Sequence, residues 1–210
     1  MRFLTQLKTR IEAKTSTLTL YRGVQDIYPA QVTPTYHGDG VFGRGTYFGL
    51  DYETAEGYAK GYVDSFEQFA LVLEYKASFK NLLTISEEHL EGLESGGYKN
   101  WLEMTDEGLD VFQYEEPVSF PADELTSIMA QDGYDGIRLL ADNLGVPDGG
   151  VQLILPPDTN ATLNLVSITF LLEDIKGFAK KLGIEPMDEQ SVKVPKNKIK
   201  SAEKLLKEFL

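Results

Sequence analysis

Along the first fourteen positions the apolar residues fall at Phe3, Leu4, Leu7 and Ile11, one face of a helix, with Arg2, Lys8, Arg10 and Lys14 between them. The spacing predicts an N-terminal helix within residues 1–16. Thr17 to Tyr21 then alternates β-branched and apolar residues and runs into Arg22-Gly23, which reads as a strand ending in a turn. From Val24 to Phe42 the chain is rich in Pro, Gly, Thr and Tyr without a sustained period, the pattern of a loop or partly ordered flap.

Gly43 to Gly49 reads as a short aromatic strand bracketed by glycines. Asp51 can cap a following helix whose inner face includes Ala55, Tyr58, Ala59 and Tyr62. Phe69 to Tyr75 predicts a strong strand, Leu82 to Ile85 a weaker one and Glu87 to Gly92 a short helix, whereas Leu93 to Pro121 carries no clear period. A helix over Ala122 to Ala130 should stop at Asp132-Gly133. Gly136 to Leu140 and Val151 to Leu155 read as a hairpin ending at Pro156-Pro157, because proline supplies no ladder donor.

From Val166 the pattern reads as helix, with Ile168, Leu171, Leu172, Ile175, Phe178, Ala179 and Leu182 on one face and a stop at Gly183. A polar linker to Pro195 leads to a last helix with Ile199, Ala202, Leu205, Leu206 and Phe209 inward. The two form a predicted C-terminal helical hairpin, either docked on the preceding domain or free for a partner. The sequence therefore predicts an α+β chain with an N-terminal helix (1–16), a sheet-bearing domain (17–165) and a helical appendage (166–210).

With 210 residues, 42% of them hydrophobic, the chain can bury a core without covalent staples. It has no cysteine and two histidines, His37 and His89, in no paired spacing, so the reading is metal-free. The most apolar stretch, Val166 to Leu172, is cut off by Glu173 and Asp174, far short of a membrane span. A soluble, cytoplasmic protein is expected. A net charge of −13 repels polyanions and disfavours a nucleic-acid groove.

Three segments carry candidate chemistry: Leu20-Tyr21-Arg22-Gly23; Gly43-Arg44-Gly45-Thr46-Tyr47-Phe48 with Ala55 and Tyr58-Ala59 behind it; and Gly133-Tyr134-Asp135-Gly136-Ile137. Neither G-x-G-x-x-G nor a Walker lysine nor G-x-S-x-G is completed, which sets aside Rossmann, P-loop and hydrolase-elbow readings. In this order and spacing the segments resemble the ADP-ribosyltransferase family, in the small forms of phages and polyvalent mobile elements, over about Thr17 to Pro157.

The resemblance implies a split, mixed β-sheet core with flanking helices, NAD⁺ as co-substrate and transfer of one ADP-ribose to a host macromolecule. A protein acceptor is expected ahead of a nucleic acid, and an anti-defence role in the host cytoplasm would suit such an effector. By the same resemblance, Arg22 anchors a ribose hydroxyl or diphosphate oxygen, and the Gly23 backbone approaches the nicotinamide amide. Gly45 and Thr46 join the cofactor site just ahead of Tyr47, which stacks on the nicotinamide ring as in the tyrosine-bearing, polymerase-like branch. Tyr58 could close the other side of the ring, or be a core tyrosine. His37 could reach the adenine ribose from the flap, or be solvated.

Where the family carries a glutamate in the last strand, this chain has Gln152. An amide accepts a hydroxyl's hydrogen bond but carries no charge. Three readings follow: Gln152 supports a mono-ADP-ribosyltransferase, Asp148 in the preceding loop supplies the carboxylate, or the domain binds NAD⁺ without turnover. An acidic interaction protein that blocks a host nucleic-acid-binding factor is a reading from another class.

Overall fold

The computed structural model describes residues 14–32, 38–40, 43–61, 69–86, 102–105, 108–112, 117–120, 130–131, 133–140 and 152–209. The chain groups into two compact units, one of Met1–Thr17, Thr35–Tyr47 and Ser78–Thr162, the other of Leu18–Pro34, Phe48–Ala77 and Leu163–Leu210. In order, the elements are β1 (Lys14–Gln25), β2 (Gly38–Gly40), β3 (Gly43–Gly49), α1 (Tyr52–Lys60), β4 (Ala70–Ser86), β5 (Leu102–Thr105), β6 (Gly108–Phe112), β7 (Pro117–Phe120), β8 (Gly136–Leu140), β9 (Gln152–Leu155), β10 (Thr162–Leu171), α2 (Ile175–Leu182), β11 (Ser191–Pro195) and α3 (Ile199–Phe209). This mixture of strands and helices is an α+β arrangement.

In the first unit, the end of β4 runs parallel to β8 from Leu82↔Gly136 to Ser86↔Leu140. β8 pairs antiparallel with β9 through Ile137↔Ile154 and Arg138↔Leu153, the hairpin the alternation predicted. β9 neighbours β3, which pairs antiparallel with β2. Leu82, Leu83, Ile137, Leu153 and Ile154 are buried, as apolar runs in a covered sheet should be. β5, β6 and β7 form a separate antiparallel meander in the segment without clear periodicity.

The Gly133–Ile137 motif is a structural clamp. Gly133 adopts φ +86, a conformation that favours glycine, and its carbonyl accepts from Asn81 Nδ2 at 2.6 Å. The buried Asp135 carboxylate accepts from the backbone N–H groups of Lys80 (2.7 Å) and Asn81 (3.1 Å), tying the start of β8 to β4. A Cβ on Gly136 would stand 2.7 Å from the Phe79 ring.

In the second unit, β1 pairs antiparallel with the end of β3 at Tyr21↔Gly49 and also neighbours β4. β4 neighbours β10, and β10 pairs antiparallel with β11 from Ser167↔Pro195 to Leu171↔Ser191. Side chains alternate across these strands. Ala70, Val72 and Leu171 meet Ala55 and Ala59 of α1, and Phe170 meets Phe178 of α2 with ring centroids 5.3 Å apart. α2 and α3 pack on β11 and on each other, burying Ile175, Phe178, Val192, Val194, Ala202 and Leu206.

Several boundaries differ from the sequence reading. β1 starts at Lys14, so the last residues of the predicted N-terminal helix are strand; residues 1–13 lie outside the described set. β1 also runs on through Arg22-Gly23 to Gln25 without turning there. Phe69–Tyr75 and Leu82–Ile85 belong to one run, since β4 spans 17 residues.

The largest correction is the C-terminal helical hairpin. Residues 162–171 are strand, the helix begins only at Ile175, and the supposed polar linker contains β11. Thr162, Val166, Ile168 and Thr169 are β-branched and favour a pleated surface. Ile168 and Leu171 also satisfy helical spacing, so periodicity alone misassigned a strand joined to a helix. Residues 166–209 accordingly hold most of β10, then α2, β11 and α3, within the second unit.

The beginning of the expected flap is also fixed. Asp26 (φ 48) donates its N–H to the Phe69 carbonyl at 3.0 Å and accepts the Phe69 N–H at 3.1 Å through its carboxylate. A short 3-10 turn at Pro29–Gln31 is held from α3: Ala30 N–H donates to Glu203 at 3.1 Å, and Lys207 Nζ lies 5.1 Å from the Tyr28 ring centroid. The predicted helix over Glu87–Gly92 lies outside the described residues, and of the one over Ala122–Ala130 only Ala130 is described, where it is helical.

Candidate functional site

Of the residues the sequence singled out, Arg22 and Gly23 lie on β1 and Tyr58 on α1 in the second unit, while Gly45, Thr46 and Tyr47 lie on β3 and Gln152 opens β9 in the first. His37 and Asp148 lie outside the described residues. Phe48 is 2% exposed and Tyr47 half-buried, as alternation on β3 requires. Thr46 is almost fully buried. Within the first unit, β3 neighbours β9, so the strand carrying Gly45-Thr46-Tyr47 lies beside the strand that begins at Gln152.

Arg22 is half-buried, and its positive charge acts on the phenol of Tyr75. Burial pushes that phenol's pKa up, and Arg22 partly offsets the shift. The Tyr75 ring meets Phe48 edge-on at 5.8 Å. Arg22 is therefore a partly covered cation whose charge is felt at the Tyr75 phenol.

Gly23 is a glycine for a packing reason. A Cβ there would stand 2.1 Å from the Ala55 carbonyl oxygen and 2.5 Å from the Ala59 amide nitrogen, so α1 approaches β1 through the missing side chain. That face of Gly23 is closed by α1. Tyr58 is 49% exposed, which corrects its placement on the inner face of the helix. The inner face is Ala55 and Ala59, with Tyr52 packed against it one turn earlier.

The second unit also contains a cleft of about 180 Å³ that is lined by Tyr21 of the first motif but by none of the residues expected to hold NAD⁺. Its walls include Tyr21, Tyr52 and Val72, and its polar groups are Glu74, Thr169 and Lys193. α1 leads up to it: Asp51 caps the helix, accepting Thr54 N–H at 2.6 Å, and so fixes Tyr52 at the first helical position. Tyr21 and Tyr52 meet edge to face, with centroids 6.2 Å apart.

Glu74 is the central acid. Its Oε2 accepts from Ser167 Oγ at 2.6 Å and lies 2.7 Å from Lys193 Nζ. Burial pushes its pKa up, but the hydrogen bonds from Lys193 and Ser167, with the charges of Lys193 and Lys76, hold it below the ordinary carboxylate range. Tyr52 is shifted strongly upward by burial and by the adjacent Glu56 carboxylate, partly offset by a hydrogen bond from Thr169. At neutral pH the cleft therefore presents an ionised carboxylate and a neutral phenol. Met187, 52% exposed, forms its lip.

The cleft had one sequence signal: Glu74 is a single charge inside the apolar run from Phe69 to Tyr75. Lys193 and Thr169 were not legible as partners because their strands were read as linker and helix. Among the described residues, no three His, Asp or Glu side chains group as metal ligands. No helix there is long and apolar enough to cross a membrane. No protein-family model matches the chain, and no curated protein matches it.

Proposed function

We propose that this chain binds NAD⁺ and transfers its ADP-ribose unit to an acceptor macromolecule, as its resemblance to the ADP-ribosyltransferase family implies. The observation that carries the reading is the adjacency of β3 and β9, which makes the strand of Tyr47 and the strand of Gln152 neighbours in one unit. Cleaving the nicotinamide–ribose bond passes through an oxocarbenium-like sugar, so the reaction needs an aromatic face for the leaving ring and an acceptor for the ribose hydroxyl. Tyr47 is the half-buried aromatic on β3, and the resemblance gives Gln152 the part of the hydroxyl acceptor and Arg22 that of the sugar-phosphate cation.

In this reading the Gln152 amide orients the ribose without stabilising its charge, and the acceptor's own nucleophile completes transfer. The −13 net charge favours a basic protein acceptor in a host cell over a nucleic acid. Incubating the full chain with NAD⁺ labelled in its adenylate and a host lysate should transfer label to a discrete acceptor. Tyr47→Ala and Arg22→Ala should each reduce transfer by about tenfold or more.

The specific observation that favours a second reading is the amide at 152. A non-catalytic NAD⁺ or ADP-ribose binder would retain intact NAD⁺ and release no nicotinamide. Calorimetry with nicotinamide assay separates the two. Saturable binding without turnover, with transfer created by Gln152→Glu, selects the binder; absence of both binding and turnover overturns both readings.

A further inference from the structure

We propose that the cleft bounded by Tyr21, Tyr52 and Glu74 is a receptor for the guanidinium group of an arginine side chain, presented by a basic protein partner. The inference is independent of the NAD⁺ reading, because the cleft is lined by none of the residues to which that reading gives a role.

Size gives the first constraint. Pockets that bury drug-sized ligands hold about 300–1,000 Å³, whereas this one holds about 180 Å³. It suits one side-chain head and part of its stem rather than a dinucleotide. The walls give the second. Two tyrosine rings beside a carboxylate combine a cation-attracting π surface with a negative charge, and a guanidinium has the flat shape and diffuse charge to use both.

The third constraint is the state of Glu74. It remains ionised although its side chain is only 16% exposed, and its ion-pair partner Lys193 is 48% exposed. The half-exposed Lys193 head is a compact point charge on a flexible stem, which water can re-solvate once it is displaced. Guanidinium can offer two parallel N–H donors to the carboxylate, a geometry ammonium lacks. Lys193 thus acts as a resident cation that a better-matched one displaces toward solvent. Nothing covalent changes: one ion pair is exchanged for another.

Met187 fits the same occupant. This apolar side chain is more than half exposed at the lip, and the methylene stem of an arginine entering the cleft would cover it. The chain's net charge of −13 supplies the longer-range attraction for a basic surface.

The test is calorimetric titration of the full chain with N-acetyl-arginine amide, alongside the lysine and norleucine analogues, with amide shifts followed at Thr169 and Lys193. Saturable binding of the arginine probe, about tenfold tighter than lysine and with shifts at those strands, is the expected result. Glu74→Gln should weaken binding by about tenfold, and Lys193→Ala should strengthen it by removing the competing cation. The strengthening is a readout that a merely structural lysine would not give. Absence of saturable binding, equal binding of all three probes, or an unchanged affinity in Glu74→Gln with a native melting profile would each overturn the proposal. Should Glu74→Gln fail to fold, weakened or unchanged binding in folded Lys193→Ala would overturn it equally.

Discussion

At Gly23 a single hydrogen atom decides whether a helix can lie on a strand. The Ala55 carbonyl oxygen would be 2.1 Å from a Cβ at this position, and both neighbours there are backbone atoms that no rotamer change can move. Gly23→Ala should therefore lower stability by about 2 kcal/mol or more, as overpacking does, measured by urea denaturation. Gly57 is the control: it is an exposed helical residue, and nothing lies within 4 Å of its added Cβ. Gly57→Ala should stabilise the protein by about 0.5–1 kcal/mol through helix propensity and unfolded-chain entropy. Equal effects of the two substitutions would contradict the close approach of α1 to β1.

Glu74 supplies a pH dependence with a defined sign. Its pKa is lowered by Lys193 and Ser167 against the opposing effect of burial. Its charge-dependent stabilisation is therefore present above the unfolded carboxyl pKa, about 4.3, and is lost as pH falls through the depressed folded value. The stability difference between the native protein and Glu74→Gln should shrink as denaturation curves are taken from neutral pH to about pH 2. A difference independent of pH would show that Glu74 contributes by shape alone.

Among the elements, α1 shows how far local sequence determines structure. Asp51 was legible as a cap, and its carboxylate accepts both Thr54 N–H (2.6 Å) and Thr54 Oγ1–H (2.8 Å). Asp51→Ala should cost about 1 kcal/mol in thermal or chemical denaturation, and Asp51→Asn much less, because the amide oxygen can still cap. β8 and β9 were legible for the same reason, since alternation, glycines and a proline stop agree at each position. β10 was not. Its apolar residues satisfy a helical spacing as well as a pleated one, and the choice is made by pairing with β11, whose partners lie 20 to 28 residues away in sequence.

The candidate site divides along the same line. Tyr47 and Phe48 could be assigned to opposite faces from alternation alone, and Gln152 was placed at the start of its strand. The roles of two motif residues could not be read: Gly23 serves an approaching helix and Asp135 a strand junction, both made by residues distant in sequence. A glycine beside an arginine is the same dipeptide whether its open face meets a ligand or a helix. Only the tertiary contact distinguishes them.

On the scale of the molecule, the end of the chain helps to build a unit that also contains Leu18–Pro34 and Phe48–Ala77. Leu206 is fully buried on α3, and the same helix reaches back through Glu203 and Lys207 to Ala30 and Tyr28. Removing the Leu206 side chain should therefore weaken early segments of the sequence as well as the last helix. Leu206→Ala is expected to cost about 2–5 kcal/mol, the range for a buried leucine. In native-state hydrogen exchange the lost protection should spread over Leu18–Gln25, β4 from Ala70 to Ala77, β10 and β11 together, because a cooperative unit opens as one. An appended helical hairpin would instead lose protection only after about residue 166. The pattern of exchange, more than the size of the stability loss, tests whether the three separated segments share one core.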